Sequence, residues 1–134
     1  MSVITRIEIQ ALPPSVNAMY ATNTKTGRRF KTKISMAFDQ IASFMTYSGP
    51  KLLPNIPYRA ELDFYGDWHC KNGSIRKKDL DNLGKQVLDV LVKFSLEWDD
   101  SQIIELRMRK VNKGIGREKT VIRLYPLGRS ESIE

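Results

Sequence analysis

Residues 76–94 read RKKDLDNLGKQVLDVLVKF, and the organisation of the chain turns on this stretch. Leu80, Leu83, Val87, Leu91 and Phe94 recur three or four residues apart, the spacing of one face of an α-helix. Asp79 stands just before them, where a side-chain oxygen can cap the open amides of the first turn. Upstream, Tyr58, Ala60, Leu62 and Phe64 alternate with Arg59, Glu61 and Asp63, the two-residue period of a strand. Downstream, Ile104, Leu106 and Met108 alternate with Glu105, Arg107 and Arg109 in another. Thr120–Tyr125 forms a last strand after a glycine-containing turn over Asn112–Glu118. So short a connection predicts that the last two strands pair antiparallel.

Towards the N-terminus, Val3, Thr5, Ile7 and Ile9 share one face of a half-buried strand over Val3–Ala11, ended by Pro13-Pro14. Ser15–Thr32 reads as a long polar loop with Gly27 at a turn. Ile34, Phe38, Ile41 and Met45 predict a first helix over Lys33–Tyr47, stopped by Ser48-Gly49-Pro50. Gly66–Lys78 is a polar loop. The order β-α-β-α-β-β predicts one α+β domain over residues 1–134: two layers, a mixed sheet with two helices on one face. The polar tail, 127–134, is expected to fray.

A chain of 134 residues, 41% of them hydrophobic, is long enough to bury one core. No apolar run could span a bilayer and no signal-peptide core is visible, so a cytoplasmic location and no membrane partner are expected. Cys70 is the one cysteine and His69 the one histidine. That excludes an intramolecular disulfide and a four-ligand Cys/His zinc site, and it argues against Cys–His or Ser–His catalysis. No organic cofactor is expected. Chemistry must then rest on carboxylates, lysines or hydroxyls, and a metal held by carboxylates leads by elimination.

The net charge of +7 suggests a polyanionic partner. Lys25, Arg28, Arg29, Lys31 and Lys33 form one acid-free run. Lys71, Arg76, Lys77 and Lys78 form a second, and Lys113, Arg117 and Lys119 a third. Amid them lie two pairs of acids: Asp79 and Asp81 at the start of the second helix, Asp99 and Asp100 just before the third strand. A fifteen-residue helix rises about 22 Å, and six extended residues cover about 20 Å. The two pairs can therefore meet if the chain returns along the helix. Carboxylates in a basic surface suit phosphodiester cleavage, since the cations hold phosphates while the acids hold a divalent metal.

Each residue also has a plain structural reading. Asp79 can be only a cap, Asp81 with Lys85 an ordinary i, i+4 ion pair, and Asp99-Asp100 a solvated turn. Asp63, on the polar face of its strand, reads as a surface charge rather than a ligand. His69 and Cys70 read as loop residues, and Trp68 and Trp98 as packing rather than base-stacking platforms.

Taken together, Lys77-Lys78-Asp79-Leu80-Asp81-Asn82-Leu83-x-Lys85, Leu88-Asp89 and Trp98-Asp99-Asp100-Ser101-Gln102 resemble the RusA family of Holliday junction resolvases. Leu12-Pro13-Pro14-Ser15-x-Asn17, followed by Tyr20, resembles the family's opening, and the likeness runs from about residue 7 to 125. The resemblance implies a homodimeric, Mg²⁺-dependent nuclease, with Mn²⁺ as a substitute, that makes paired symmetric nicks in a four-way DNA junction. It also implies a phage or prophage origin. Carried over by position, Asp79, Asp81 and Asp100 are the catalytic metal ligands and Lys85 the essential lysine. Two stretches depart from the family pattern: Trp68–Ser74 looks inserted, and Phe94–Glu97 matches loosely.

The resulting expectation is hydrolysis by a metal-activated water to a 5′-phosphate and a 3′-hydroxyl. Lys25, Arg28, Arg29, Lys31, Lys33, Arg76, Lys77 and Lys78 would bind DNA. Two alternatives stay open: a non-catalytic nucleic-acid-binding domain, and a metal nuclease for other branched DNA.

Overall fold

The computed structural model describes residues 5–14, 20–31, 36, 38, 39, 52–77, 79–94 and 98–127. Its strands are β1 (Thr5–Ile9), β2 (Tyr20–Thr22), β3 (Arg29–Lys31), β4 (Tyr58–Gly66), β5 (Ile103–Asn112) and β6 (Lys119–Pro126). One long helix, α1 (Leu80–Phe94), and a 3₁₀ turn over Asp100–Gln102 complete them. Of the expected first helix only Met36, Phe38 and Asp39 are described, all three helical; the rest of Lys33–Tyr47 lies outside the described residues. The tail from 128 lies outside them too.

The α+β class and the mixed sheet are as expected, but the strand order corrects one pairing. The order is β1-β6-β4-β5, so β4 lies between the last two strands. β4 pairs parallel with β5 and antiparallel with β6, and β6 pairs antiparallel with β1. Burial supplies the reason. β4 carries Ala60, Leu62 and Phe64, all fully buried, whereas β5 exposes Ile104 and Leu106. A β5–β6 hairpin would have pushed the more apolar strand to the sheet's edge. The short segment 113–118 instead steps across β4, about 10 Å at two strand spacings. The parallel β4–β5 pair needs a crossover, and α1 provides it.

A second correction concerns the loop expected over Ser15–Thr32. β2 and β3 form an antiparallel hairpin within it. Gly27 lies at its turn with φ 71°, a left-handed conformation that glycine adopts without Cβ strain. The Gly66–Lys78 segment is also more ordered than a plain loop. Cys70 N donates to Ser74 O at 2.7 Å and Arg76 N to Trp68 O at 2.8 Å, with a bridge between His69 and Ile75. Trp68 anchors this small hairpin, its buried indole Nε1 donating to the Phe64 and Val111 carbonyls at 3.0 and 2.9 Å. Both tryptophans are buried, as packing predicts.

The core lies between α1 and one sheet face. Leu83, Val87 and Leu91 cover Leu62, Phe64, Ile122 and Leu124, joined by Ile7 and Ile9 from β1. Gln86, also buried, donates to the Pro14 carbonyl and ties the chain after β1 to the helix. α1 approaches β5 closely because residue 84 has no side chain: a Cβ there would collide with the sulfur of Met108.

On the opposite face, Asp63 corrects the reading of a surface charge. It is only 3% exposed and is clamped by Arg109 Nε and Arg123 Nη1, each at 2.7 Å. Its neighbours in the sheet explain this. Arg109 is beside it on β5, and Arg123 is diagonal to it on β6, so two long side chains close over one short one. Burial pushes the Asp63 carboxyl up, but hydrogen bonds from Arg109 and Arg123, with their charge, outweigh it and hold the group below its ordinary value.

Two outcomes follow for stability. Gly84→Ala should destabilise by about 0.5–2 kcal/mol in urea titration, the overpacking cost exceeding the gain in helix propensity. In a double-mutant cycle with Met108→Ala the two changes should couple, because the new methyl then meets no sulfur. For Asp63, a depressed folded pKa means that its contribution is complete above the unfolded aspartate value, about 3.9, and is lost as pH falls through the lower folded value. The urea midpoint should therefore fall in that acid range, and Asp63→Asn should lower the midpoint at neutral pH while flattening the acid fall.

Candidate active site

The stripe of α1 that faces away from the core begins the site. Asp81, Lys85 and Asp89 follow at i, i+4 and i+8, so they line one side of the helix over about 12 Å. Asp79 immediately precedes the helix, and its carbonyl accepts from the Leu83 amide at 3.2 Å, as an N-cap residue's does. Asp79, Asp81, Lys85 and Asp89 are all exposed. Among the described residues Lys85 makes no ion pair, so the i, i+4 bridge to Asp81 is not formed.

Beside this stripe an open groove of about 250 Å³ runs between α1 and edge strand β5, lined by Asp81, Gly84, Lys85, Leu88, Asp89, Asp100, Leu106 and Met108. It brings Asp81, Lys85 and Asp100 to one cleft although Asp100 belongs to the turn after the helix. Asp79 is not part of its lining. Asp89 is, although the sequence reading gave it no role; its spacing of four from Lys85 was the available signal. Among the described residues no three acids, histidines or cysteines converge as a ready metal cluster.

Asp100 owes its place to the 3₁₀ turn. Asp99 caps that turn, its Oδ1 accepting from the Ser101 amide at 3.4 Å, while Gln102 Oε1 accepts from the Asp99 amide at 3.1 Å. This is a reciprocal capping box. Gln102 Nε2 also donates to the carbonyls of Leu53 and Ile56 at 3.0 and 2.9 Å. Just before the turn, Trp98 is buried with its ring edge-on to Tyr58, 6.1 Å between centroids.

The two adjacent aspartates do not titrate alike. A hydrogen bond between their carboxyls holds Asp99 below its ordinary value, with help from the Ser101 amide. The same bond raises Asp100, followed by burial and the negative charges of Asp99 and Asp89. Asp89 therefore faces Asp100 closely enough to feel its charge.

Of the expected DNA-binding cations, Lys25 and Arg28 are exposed in the β2–β3 turn, where the Asn23 and Thr26 side chains accept their amides, and Arg29 opens β3. Lys31 lies in β3, while Lys33 and Lys78 fall outside the described residues. Lys77 is exposed, and Arg76, also exposed, lies 3.9 Å from Asp67. In the third basic run, Lys113 and Arg117 occupy the turn between β5 and β6, but Lys119 is engaged, 3.0 Å from Glu8 and over the Tyr65 ring.

Among the described residues no helix is long and apolar enough to cross a membrane. The family model described as Endodeoxyribonuclease RusA matches residues 11–125. No curated protein matches the chain.

Replacing Asp99 by Asn keeps an acceptor for the Ser101 amide and removes a charge. The Asp100 carboxyl should then titrate closer to an ordinary aspartate in a side-chain ¹³C NMR titration. An unmoved value would assign its elevation to partial desolvation and the charge of Asp89 instead.

Proposed function

Since the chain belongs to the RusA endodeoxyribonuclease family, a membership that implies cutting of Holliday junction DNA, we propose that it is a Mg²⁺-dependent endonuclease resolving four-way junctions by paired, symmetric nicks. The observation that carries this reading is the groove shared by Asp81, Lys85 and Asp100 on a chain of net charge +7.

The donor set suits the metal. Carboxylate oxygens are hard ligands, and Mg²⁺ is commonly held by one or two of them while phosphate and water fill its remaining positions. A groove with separated carboxylates meets that demand without a tight protein cluster. Asp81 and Asp100 would hold the ion, and Mn²⁺ would be able to replace it. Asp79, a third ligand by its position in the family motif, stands outside the groove lining and would have to shift towards the ion to join them. When bound, the metal supplies water activation and neutralises charge gathering on the phosphate.

The protein's own groups do the rest. Lys85, on the helix stripe between Asp81 and Asp89 and without an ion pair among the described residues, presents a point charge to a phosphate oxygen. Leu88, Leu106 and Met108 form the apolar part of the lining and leave fewer waters to compete for the phosphate. Basic residues of the β2–β3 turn and of the approach to α1 hold flanking phosphates, a salt-sensitive contribution. Water adds to phosphorus as the bond to the 3′ oxygen breaks, leaving a 5′-phosphate and a 3′-hydroxyl. A homodimer suits the substrate, because a two-fold junction offers two equivalent phosphates to two equivalent sites.

Labelled four-way junction, flap and linear duplex, each with Mg²⁺ or EDTA, test the reading. Cutting of the junction alone, and only with metal, is expected. Equal cutting of the flap would make this a nuclease for branched DNA in general, and binding without cutting a non-catalytic domain. Asp81→Asn should lose cutting by orders of magnitude and bind the junction at least as tightly, since one repulsive charge is gone. Equal loss of both would show that Asp81 is structural.

A further inference from the structure

We propose that Gln102 is a positioning residue for Asp100, a strut that fixes the Asp100 carboxylate in the groove by tying its turn to the segment leading into β4. The inference deepens the proposed function and rests on Asp100 being a metal ligand.

The hydrogen bonds of one carboxamide carry the argument. Closing the capping box needs only its oxygen, which accepts from the Asp99 amide at 3.1 Å. The nitrogen does something else, donating to the Leu53 and Ile56 carbonyls at 3.0 and 2.9 Å, 49 and 46 residues away in sequence. Those carbonyls belong to a stretch that is itself secured. The Leu53 amide donates to the Tyr58 hydroxyl at 2.9 Å, and the Leu127 amide to the Pro57 carbonyl at 2.9 Å. Tyr58 in turn is buried against Trp98.

Asp100 is therefore attached on both sides, through buried Trp98 before it and through Gln102 after it. Beyond Gln102 the chain enters β5 with a register shift: Ile103 pairs with Tyr58, but Glu105 pairs with Arg59. Strand pairing thus starts irregularly and gives the turn little support of its own. A three-residue 3₁₀ turn has poor internal hydrogen-bond geometry. Without the strut the Asp100 carboxylate would sample more positions, and binding a metal would have to order it. The loss belongs in metal affinity rather than in the chemistry once metal is bound.

Two substitutions separate this role from general stability. Gln102→Glu keeps the acceptor for the Asp99 amide, loses both donors at neutral pH and adds a negative charge, which on its own would tighten Mg²⁺ binding. Gln102→Met keeps length and removes every hydrogen bond. Calorimetric titration of the free protein with Mg²⁺, and the Mg²⁺ dependence of junction cutting, should both shift to concentrations about 10- to 100-fold higher for either variant. The cutting rate at saturating Mg²⁺ should return towards that of the unmutated protein, with junction binding in EDTA unchanged for Gln102→Met and slightly weakened for Gln102→Glu by its added charge. An unaltered Mg²⁺ response, or a rate that saturating Mg²⁺ does not restore, would overturn the strut. Asp100→Asn keeps the two ideas apart. If it is inactive while both Gln102 variants respond like the unmutated protein, only the strut fails. If it cuts and binds Mg²⁺ normally, Asp100 is no ligand and the premise fails.

Discussion

The contact between Gly84 and Met108 governs the candidate site. Any larger residue at 84 would force the helix and the edge strand apart or displace the Met108 side chain, because a Cβ there collides with the Met108 sulfur. The close approach narrows the gap between α1 and β5 to a groove of about 250 Å³. Asp81, Lys85 and Asp89 on the helix then face Asp100, Leu106 and Met108 across it. Gly84 costs about 1 kcal/mol of helix propensity relative to alanine, and the apolar burial under Leu83, Val87 and Leu91 offsets that loss in the same two turns.

The sheet sets the direction of everything around this contact. Because β4 is central and runs parallel to β5, the chain must cross over between them, and the crossover is the helix that carries the acids. The same crossover returns the chain to the start of β5 and leaves Asp100 there, at the groove. On the far face, β4 contributes Asp63 to a clamp with Arg109 and Arg123 that bridges all three of the strands involved. A buried carboxylate is a poor source of net stability. What it adds is register, since sliding β5 or β6 by one residue would turn an arginine to the other face and leave the charge unpaired.

Much of this was legible in the chain. The period-2 and period-3.6 runs located β1, β4, α1, β5 and β6, and Asp79 marked the helix start. The Asp-Leu-Asp-Asn and Asp-Asp-x-Gln stretches pointed to the family that the match over residues 11–125 establishes. Asp99-x-x-Gln102 also has the spacing of a capping box, so half of Gln102's bonding could have been read there. Its other half could not, because nothing in the local pattern names Leu53 and Ile56 as partners. Asp63 was misread for a similar reason. Alternation puts it on the polar face correctly, but whether a polar face is wet depends on which side chains from neighbouring strands fold over it.

The sequence by itself determined β1, β4, α1, β5 and β6, the cap before α1 and the basic character of the loops, because these follow from residues within a turn or two of one another. Only the tertiary structure decided that β4 separates β5 from β6, that Asp63 lies beneath two arginines, that Asp89 shares a groove with Asp100, and that Gln102 spans to the segment before β4. Each of these depends on contacts between residues far apart in the chain. The physical reason is that periodicity reports which face of an element is apolar, while the choice of neighbour is made by competition among all apolar faces for burial.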